Sequence, residues 1–119
     1  MRRGEVWWAD LGPYRPLEQT GRRPVVVWQS DTLTRALQSV LVVPLTTNMG
    51  RADLAGTAIV NASPGGLPED SVALAFQMRA VPKSALYKRI YTLTEAELAE
   101  LELATDEALG RMEPKGSAP

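Results

Sequence analysis

Two nearly continuous apolar runs, each with three valines, limit the folds open to this 119-residue chain more than any other feature. They are residues 23–29 (RPVVVWQ) and residues 40–45 (VLVVPL). Short apolar runs bounded by polar turn residues are typical of buried β-strands. Pro24 is compatible with an early position in a strand, where its missing N–H donor is tolerated. The sequence therefore predicts two buried strands.

Weaker signals predict the remaining elements. Further strands are predicted at residues 5–10, 57–61, 71–76 and 89–92, and a short helical turn at residues 32–37. Thr94 and Glu97 form a capping box that begins a C-terminal helix, and Gly110 ends it. Five or six short strands and one terminal helix indicate a mainly β fold with a C-terminal α-helix, built as a small, strongly bent antiparallel β-barrel. We expect one domain over residues 1–112 and a disordered tail over residues 113–119.

The composition excludes several kinds of active site. The chain contains no cysteine and no histidine, which excludes disulfides, thiolate nucleophiles, zinc–sulfur sites, histidine-containing triads and imidazole acid–base pairs. Its longest uncharged apolar stretch, residues 39–45, is far shorter than the roughly 20 residues of a membrane-spanning helix. The first three residues are followed by Gly4 and Glu5 rather than by an apolar segment, so we expect no secretory signal and a cytoplasmic protein.

Positive charge is concentrated before the C-terminal helix. Residues 1–93 hold 11 basic and 7 acidic side chains, a net charge of +4, whereas residues 94–119 hold 2 and 7, a net charge of −5. Such an asymmetry indicates either that residues 1–93 bind a polyanion or merely that the C-terminal helix is acidic.

Three segments place polar side chains at the ends of apolar strands. They are residues 18–24 (EQTGRRP), residues 46–48 (TTN), and Gln77 with Arg79. The guanidinium of Arg23 is suited to hold a phosphate, and hydroxyl and amide groups can bind phosphate or ribose oxygens. The same residues have ordinary alternative roles, because arginines solubilise loops and Thr and Asn form turns.

Aromatic side chains add candidate surfaces for stacking. Trp7 and Trp8 are adjacent in a predicted strand, so they must face opposite sides: one belongs to the core, and the other meets solvent, a partner chain or a base. Tyr14 lies beside Arg15 in a long polar loop, and both side chains are of the kinds that stack on nucleic-acid bases.

Taken in order, these stretches resemble the MazF/PemK family of toxin endoribonucleases. The matching segments are residues 3–7 (RGEVW), 10–11 (DL) with Pro13, 18–27 (EQTGRRPVVV), 42–46 (VVPLT), 66–72 (GLPEDSV), and Gln77 with Arg79. The similarity extends over nearly the whole chain.

The resemblance implies a fold, a reaction and partners. It implies a homodimeric SH3-like barrel that cuts single-stranded RNA, mostly mRNA, without a metal ion or other cofactor. The ribose 2′-hydroxyl attacks the adjacent phosphate and leaves a 2′,3′-cyclic phosphate and a 5′-hydroxyl end. Because the substrate supplies the nucleophile, this chemistry is compatible with a chain that has neither cysteine nor histidine. The implied protein partner is an acidic antitoxin with a disordered tail.

The resemblance also assigns roles to residues. The family's catalytic arginine before proline corresponds to Arg23, which would hold the scissile phosphate, and its strand-end threonine corresponds to Thr46, which would orient the phosphate or the 2′-hydroxyl. Glu18 is the expected general base by position. The expected RNA-binding residues are Tyr14, Arg15, Gln19, Arg22, Thr47, Asn48, Arg51, Gln77 and Arg79.

One position departs from the family pattern. Many members carry an acidic residue immediately before the glutamine that corresponds to Gln77, whereas this chain carries Phe76. Members with an Arg-x-Asp acid–base pair on this strand would have it at Leu74 and Phe76, so that form of the mechanism cannot operate here. Two alternative functions stay open, a gyrase inhibitor of the related CcdB branch and a non-catalytic RNA-binding barrel.

Overall fold

In a computed structural model, which describes residues 1–13 and 15–112, the chain forms seven β-strands and two α-helices. The strands are β1 Glu5–Asp10, β2 Arg22–Val27, β3 Ser39–Thr46, β4 Thr57–Val60, β5 Ser71–Leu74, β6 Arg79–Pro82 and β7 Leu86–Thr92. The helices are α1 Asp31–Ala36 and α2 Glu95–Ala108, and three 3₁₀ segments are Met49–Asp53, Ala75–Gln77 and Lys83–Ala85. Tyr14 and the predicted tail, residues 113–119, lie outside the described residues.

Strand β3 organises the sheet. The strand order is β4-β5-β3-β2-β1-β7, with β6 also paired to β3, and every pair is antiparallel. One edge of β3 pairs with β2. The opposite edge pairs first with β6, through residues 39–42, and then with β5, through Leu45 and Thr46. Because β5 and β6 both pair with this edge of β3, the chain kinks between them at the 3₁₀ segment Ala75–Gln77.

Both faces of the central strands are buried, which explains their unbroken apolar sequences. One face packs against α2, β4 and β5, through a cluster that includes Val6, Val26, Trp28, Val43, Leu45, Val60, Leu101 and Ala104. The other face forms a second cluster of Ala9, Leu11, Val25, Val27, Val40, Val42, Val81 and Leu86.

The predicted mainly β fold with a C-terminal α-helix is confirmed. The sheet bends roughly into a barrel without closing, since β4 and β7 are its two ends. Strand β1 has the predicted bounds, whereas the predicted strand over residues 71–76 ends at Leu74 because a 3₁₀ turn follows. Strand β6 was not predicted. It is four residues long, it contains Pro82, and it is defined by pairing with the distant β3.

Helix α2 begins and ends as predicted. The hydroxyl of Thr94 accepts from the backbone N–H of Glu97, and the Glu97 carboxylate accepts from the N–H of Thr94. Leu101 and Ala104 are buried, and Gly110 has a φ of 72° directly after the helix end, where glycine is favoured. Within the described residues, no helix has both the length and the apolar character needed to cross a membrane.

Glu5 is a buried carboxylate at the beginning of β1, with 7% of its surface exposed. Its Oε1 accepts from the N–H of Arg2 at 2.9 Å and from the indole N–H of Trp7 at 3.1 Å, and its Oε2 accepts from Nη1 of Arg89 at 3.2 Å. Burial alone would raise the pKa of Glu5, but the three hydrogen bonds and the positive charge of the N-terminal amine together outweigh burial, so the pKa is lowered. The carboxylate thus joins the N-terminus, β1 and β7.

We expect Glu5→Gln to lower the free energy of unfolding at neutral pH by about 1–3 kcal/mol, because an amide cannot satisfy all three donors. The pKa of Glu5 is lower in the folded protein than in the unfolded chain, so the carboxylate contributes its full stability above the unfolded-state pKa of about 4.3. This stability is lost as the pH falls through the folded-state pKa of Glu5. Urea unfolding at neutral and acidic pH should show a steeper loss for the wild type than for Glu5→Gln. Glu69→Gln, at an exposed carboxylate, is the control. Equal stability and equal pH dependence of wild type and Glu5→Gln would contradict this prediction.

Candidate active site

The ladder between β2 and β3 is interrupted at Pro24. Val25 pairs with Pro44 and Val26 with Val43, and Trp28 N–H donates to Leu41 O in the same register. Hydrogen-bonded pairs alternate along an antiparallel ladder, so the next hydrogen-bonded position after Val26 and Val43 brings Pro24 opposite Leu45. Pro24 has no N–H to donate there. One residue further, the same register brings Arg23 level with Thr46.

An open cleft of about 280 Å³ lies at this end of the sheet. It is lined by Trp8, Arg22, Arg23, Pro24, Leu45, Thr46, Thr47 and Ser71. Four of these residues, Arg22, Arg23, Thr46 and Thr47, were predicted to be site residues. Trp8 and Ser71 were not. The adjacent tryptophans were a usable signal for Trp8, since Trp7 packs against the second core cluster and Trp8 must face the other way.

The guanidinium of Arg23 is held by three neutral acceptors. Its Nε donates to Thr20 O at 2.9 Å, and its Nη1 donates to Leu45 O at 3.3 Å and to the side-chain oxygen of Gln19. These bonds use one hydrogen of Nε and both hydrogens of Nη1, while Nη2 has no acceptor among the described residues. Burial lowers the pKa of Arg23 from its ordinary value, yet a guanidinium stays protonated. The cleft therefore contains a fixed cation with one free nitrogen.

Gln19 contacts Arg23 directly, so its side chain orients the guanidinium. From the sequence, Gln19 was predicted to bind RNA. Its neighbouring residues do not indicate whether it binds RNA or holds the side chain of Arg23 in place.

Thr46 and Asn48 form a turn at the end of β3, which is the ordinary role of Thr and Asn at such a position. Thr46 Oγ1 accepts from the N–H of Asn48 at 3.2 Å, and Asn48 Oδ1 accepts from the N–H of Gly50 at 3.2 Å. The hydroxyl hydrogen of Thr46 is left to donate into the cleft. Arg51 is half-buried within the 3₁₀ segment Met49–Asp53 rather than in the cleft lining.

Arg79 holds the long loop between β1 and β2. Its Nη2 donates to Leu11 O at 3.1 Å, and its Nη1 donates to Gln19 O at 3.2 Å and lies 3.4 Å from Oε2 of Glu18. Glu18 is thus paired with Arg79 and is not part of the cleft lining.

Gln77 supports the same loop, because its Nε2 donates to Leu17 O at 2.9 Å. Leu17 has a φ of 66°, and its side chain is 94% exposed. Arg15 is exposed on this loop, and Tyr14 lies outside the described residues. The structure therefore brings four of the predicted site residues to the cleft, whereas Gln77 and Arg79 hold the loop that carries Glu18 and Gln19, and Arg15, Asn48 and Arg51 belong to neither group.

Phe76 occupies the 3₁₀ turn between β5 and β6 and is 42% exposed. A Cβ atom on Gly56 would lie 3.5 Å from its ring and 3.2 Å from the Cβ of Ala108. An aromatic ring, not a carboxylate, thus lies near the end of α2 at this position.

We expect Arg79→Ala to release the loop without unfolding the protein. Loss of two charge-assisted hydrogen bonds to backbone oxygens should lower the local opening free energy by about 2 kcal/mol, which corresponds to roughly 30-fold faster amide exchange. Hydrogen exchange at the N–H of Gly21, which donates to Gly12 O at 2.9 Å, measures this. Arg35→Ala, at an exposed residue of α1, is the matched control. Unchanged exchange at Gly21 would show that Arg79 does not hold the loop.

Comparison with known proteins identifies relatives over the same residues. Residues 2–109 match the family described as PemK-like, MazF-like toxin of type II toxin–antitoxin systems. The chain is 36% identical over 110 residues to the protein named Endoribonuclease MazF from Staphylococcus saprophyticus, and 34% identical over 110 residues to that from Staphylococcus epidermidis. Each match covers 92% of both chains.

The fold is also shared with solved structures. A mycobacterial endoribonuclease determined in complex with its cognate antitoxin superposes with a TM-score of 0.75 at 24% identity, covering 96% of this chain and 99% of that chain. Since the profile match and the sequence relatives span most of the chain, this protein belongs to the PemK-like, MazF-like toxins of type II toxin–antitoxin systems.

Proposed function

We propose that this toxin is a metal-independent, sequence-specific endoribonuclease that cleaves single-stranded RNA, chiefly mRNA in the cytoplasm. The observation that carries the proposal is the fixed Arg23 guanidinium, which lines an open cleft with Thr46 and Arg22 and whose Nη2 has no acceptor among the described residues. The relatives named Endoribonuclease MazF support RNA as the substrate.

Arg23 would stabilise charge on the scissile phosphate. In the proposed step, the 2′-oxygen forms a bond to phosphorus, the bond from phosphorus to the 5′-oxygen breaks, and the 2′-proton leaves while the 5′-oxygen gains a proton. Negative charge on the non-bridging oxygens increases in the transition state, and a preorganised guanidinium is suited to stabilise it. Because Nε and Nη1 are already bonded to protein acceptors, Nη2 is the nitrogen that would meet the phosphate.

Thr46 would orient the same phosphate. Its Oγ1 already accepts from the N–H of Asn48, which fixes the hydroxyl and directs its hydrogen toward other acceptors. A hydroxyl fixed in this way can donate to a phosphate oxygen or to the ribose 2′-oxygen.

Glu18 is the proposed proton acceptor. Its neighbour Gln19 contacts Arg23, so the loop carries the carboxylate beside the cleft. In the free protein the carboxylate pairs with Arg79 instead. Catalytic hydrogen bonds commonly tighten only when substrate is bound, and proton transfer by Glu18 requires this loop to adjust around RNA.

Further residues would bind the RNA on either side of the scissile phosphate. Arg22 and Thr47 line the cleft itself. Arg15, between β1 and β2, and Asn48 and Arg51, between β3 and β4, would bind RNA beyond the cleft lining, and Gln19, Gln77 and Arg79 would act through the loop they support. Tyr14 is also an expected RNA-binding residue.

The proposed partners are a second copy of this chain and an acidic, partly disordered antitoxin. The net charge of +4 on residues 1–93 attracts an acidic polypeptide as well as RNA. The mycobacterial endoribonuclease was determined in complex with its cognate antitoxin, which supports such a partner.

The proposal predicts that the purified protein cuts a long single-stranded RNA in the presence of EDTA. Arg23→Ala should lower the cleavage rate by about 100- to 1000-fold, because one preorganised donor to the transition state is lost. Mapping the fragment ends should give 5′-hydroxyl groups at a short recurring sequence. Arg35→Ala, at an exposed arginine on α1, should cut like the wild type.

Intact RNA with a folded wild-type protein would contradict the nuclease proposal. RNA binding without cutting would then favour a non-catalytic RNA-binding barrel, the function for which Phe76 in place of an acidic residue argues.

A further inference from the structure

We infer that Trp8 and Lys88 extend the cleft into a second RNA subsite, in which a base stacks on the indole ring and a neighbouring phosphate meets the ammonium group. This inference rests on the proposed function, since it assumes that RNA enters the cleft beside Arg23.

The sheet register aligns the two side chains. Trp8 is paired with Pro24 on β2 and with Lys88 on β7. Residues directly opposite each other in antiparallel strands project from the same face. Trp8 lines the cleft, so Lys88 continues the same face one strand further, toward β7 at the end of the sheet. Strands are about 4.8 Å apart, which makes the row from Pro24 to Lys88 about 10 Å wide.

The indole N–H of Trp8, unlike those of the other two tryptophans, has no partner among the described residues. Trp7 donates to Glu5 Oε1 at 3.1 Å, and Trp28 donates to Thr105 Oγ1 at 2.9 Å. For Trp8 there is no acceptor in residues 1–13 or 15–112, and its ring is only half-buried. A half-buried tryptophan that lines a cleft and has no acceptor for its N–H among the described residues is suited to a ligand with a flat ring and polar edges.

Lys88 is an uncompensated charge. Arg3, Arg79, Arg89 and Arg111 each form an ion pair, whereas exposed Lys88 has no acidic partner in the part of the chain that the structure describes. Lys88 is thus a cation opposite an aromatic ring that itself lines the cleft with Arg22 and Arg23, and this combination matches the one with which single-stranded nucleic acid is held.

The test measures binding of a fluorescein-labelled 2′-O-methyl oligouridylate, which lacks the 2′-hydroxyl that cleavage needs. Trp8→Ala should weaken binding by about 5- to 150-fold, the range measured for loss of base–aromatic stacking. Trp8→Phe keeps a ring and should retain most of the affinity. Thermal melting of both variants separates a binding defect from unfolding.

Lys88 is tested through salt. Lys88→Gln should reduce the slope of log K against log salt concentration by about 0.7, the value for one phosphate contact on a single strand. Arg35→Gln removes the same charge from α1 and should leave the slope unchanged.

The inference is overturned if folded Trp8→Ala binds this oligonucleotide as tightly as the wild type, or if Lys88→Gln and Arg35→Gln change the slope equally. Weaker binding of polyglutamate with unchanged RNA binding would also overturn it, by assigning the face to a protein partner. If the wild type cuts long RNA while these variants bind normally, only the subsite is wrong. If binding depends on Trp8 and Lys88 but nothing is cut, only the nuclease proposal is wrong.

Discussion

The interrupted pairing of β2 with β3 determines where this molecule can act. Over residues 25–27 the two strands pair regularly and are buried on both faces. At Pro24 the backbone has no donor for the oxygen of Leu45, and Nη1 of Arg23 donates to that oxygen instead. The missing backbone bond therefore draws a cation into the end of the sheet, and the cleft opens where the regular ladder stops.

The basic residues fall into two groups according to their partners. Arg79 and Arg89 join distant segments of the chain through ion pairs and hydrogen bonds, so their charge is compensated within the fold. Arg23 is held by neutral oxygens alone, which fix its position without cancelling its charge. A positive residue with neutral support remains available to an anion, and this difference in partners, rather than the number of basic residues, singles out Arg23 as the candidate phosphate-binding residue.

Elements that depend on neighbouring residues were predicted from the sequence, whereas contacts and pairings between distant residues were missed. Buried apolar runs predicted β2 and β3, and the Thr94 capping box predicted the beginning of α2. Arg79 was recognised as a site residue, but its bond to Leu11 O spans 68 positions and leaves no local pattern. For the same reason β6 was missed, since its pairing with β3 makes it a strand. The adjacent tryptophans predicted opposite faces, and only the register shows that Trp8 faces the cleft.

The two halves of the proposed reaction depend on different side chains that share one loop. Charge stabilisation would come from Arg23 and Thr46, and the guanidinium of Arg23 is held by Thr20 O, Leu45 O and the side chain of Gln19. Proton transfer would come from Glu18, on the loop attached through the side chains of Gln77 and Arg79. A preorganised cation stabilises charge where it stands, whereas Glu18 would have to exchange its pairing with Arg79 for contact with the substrate. Because Gln19 and Thr20 lie on the same loop as Glu18, an adjustment of that loop around RNA would also reach the acceptors that orient Arg23.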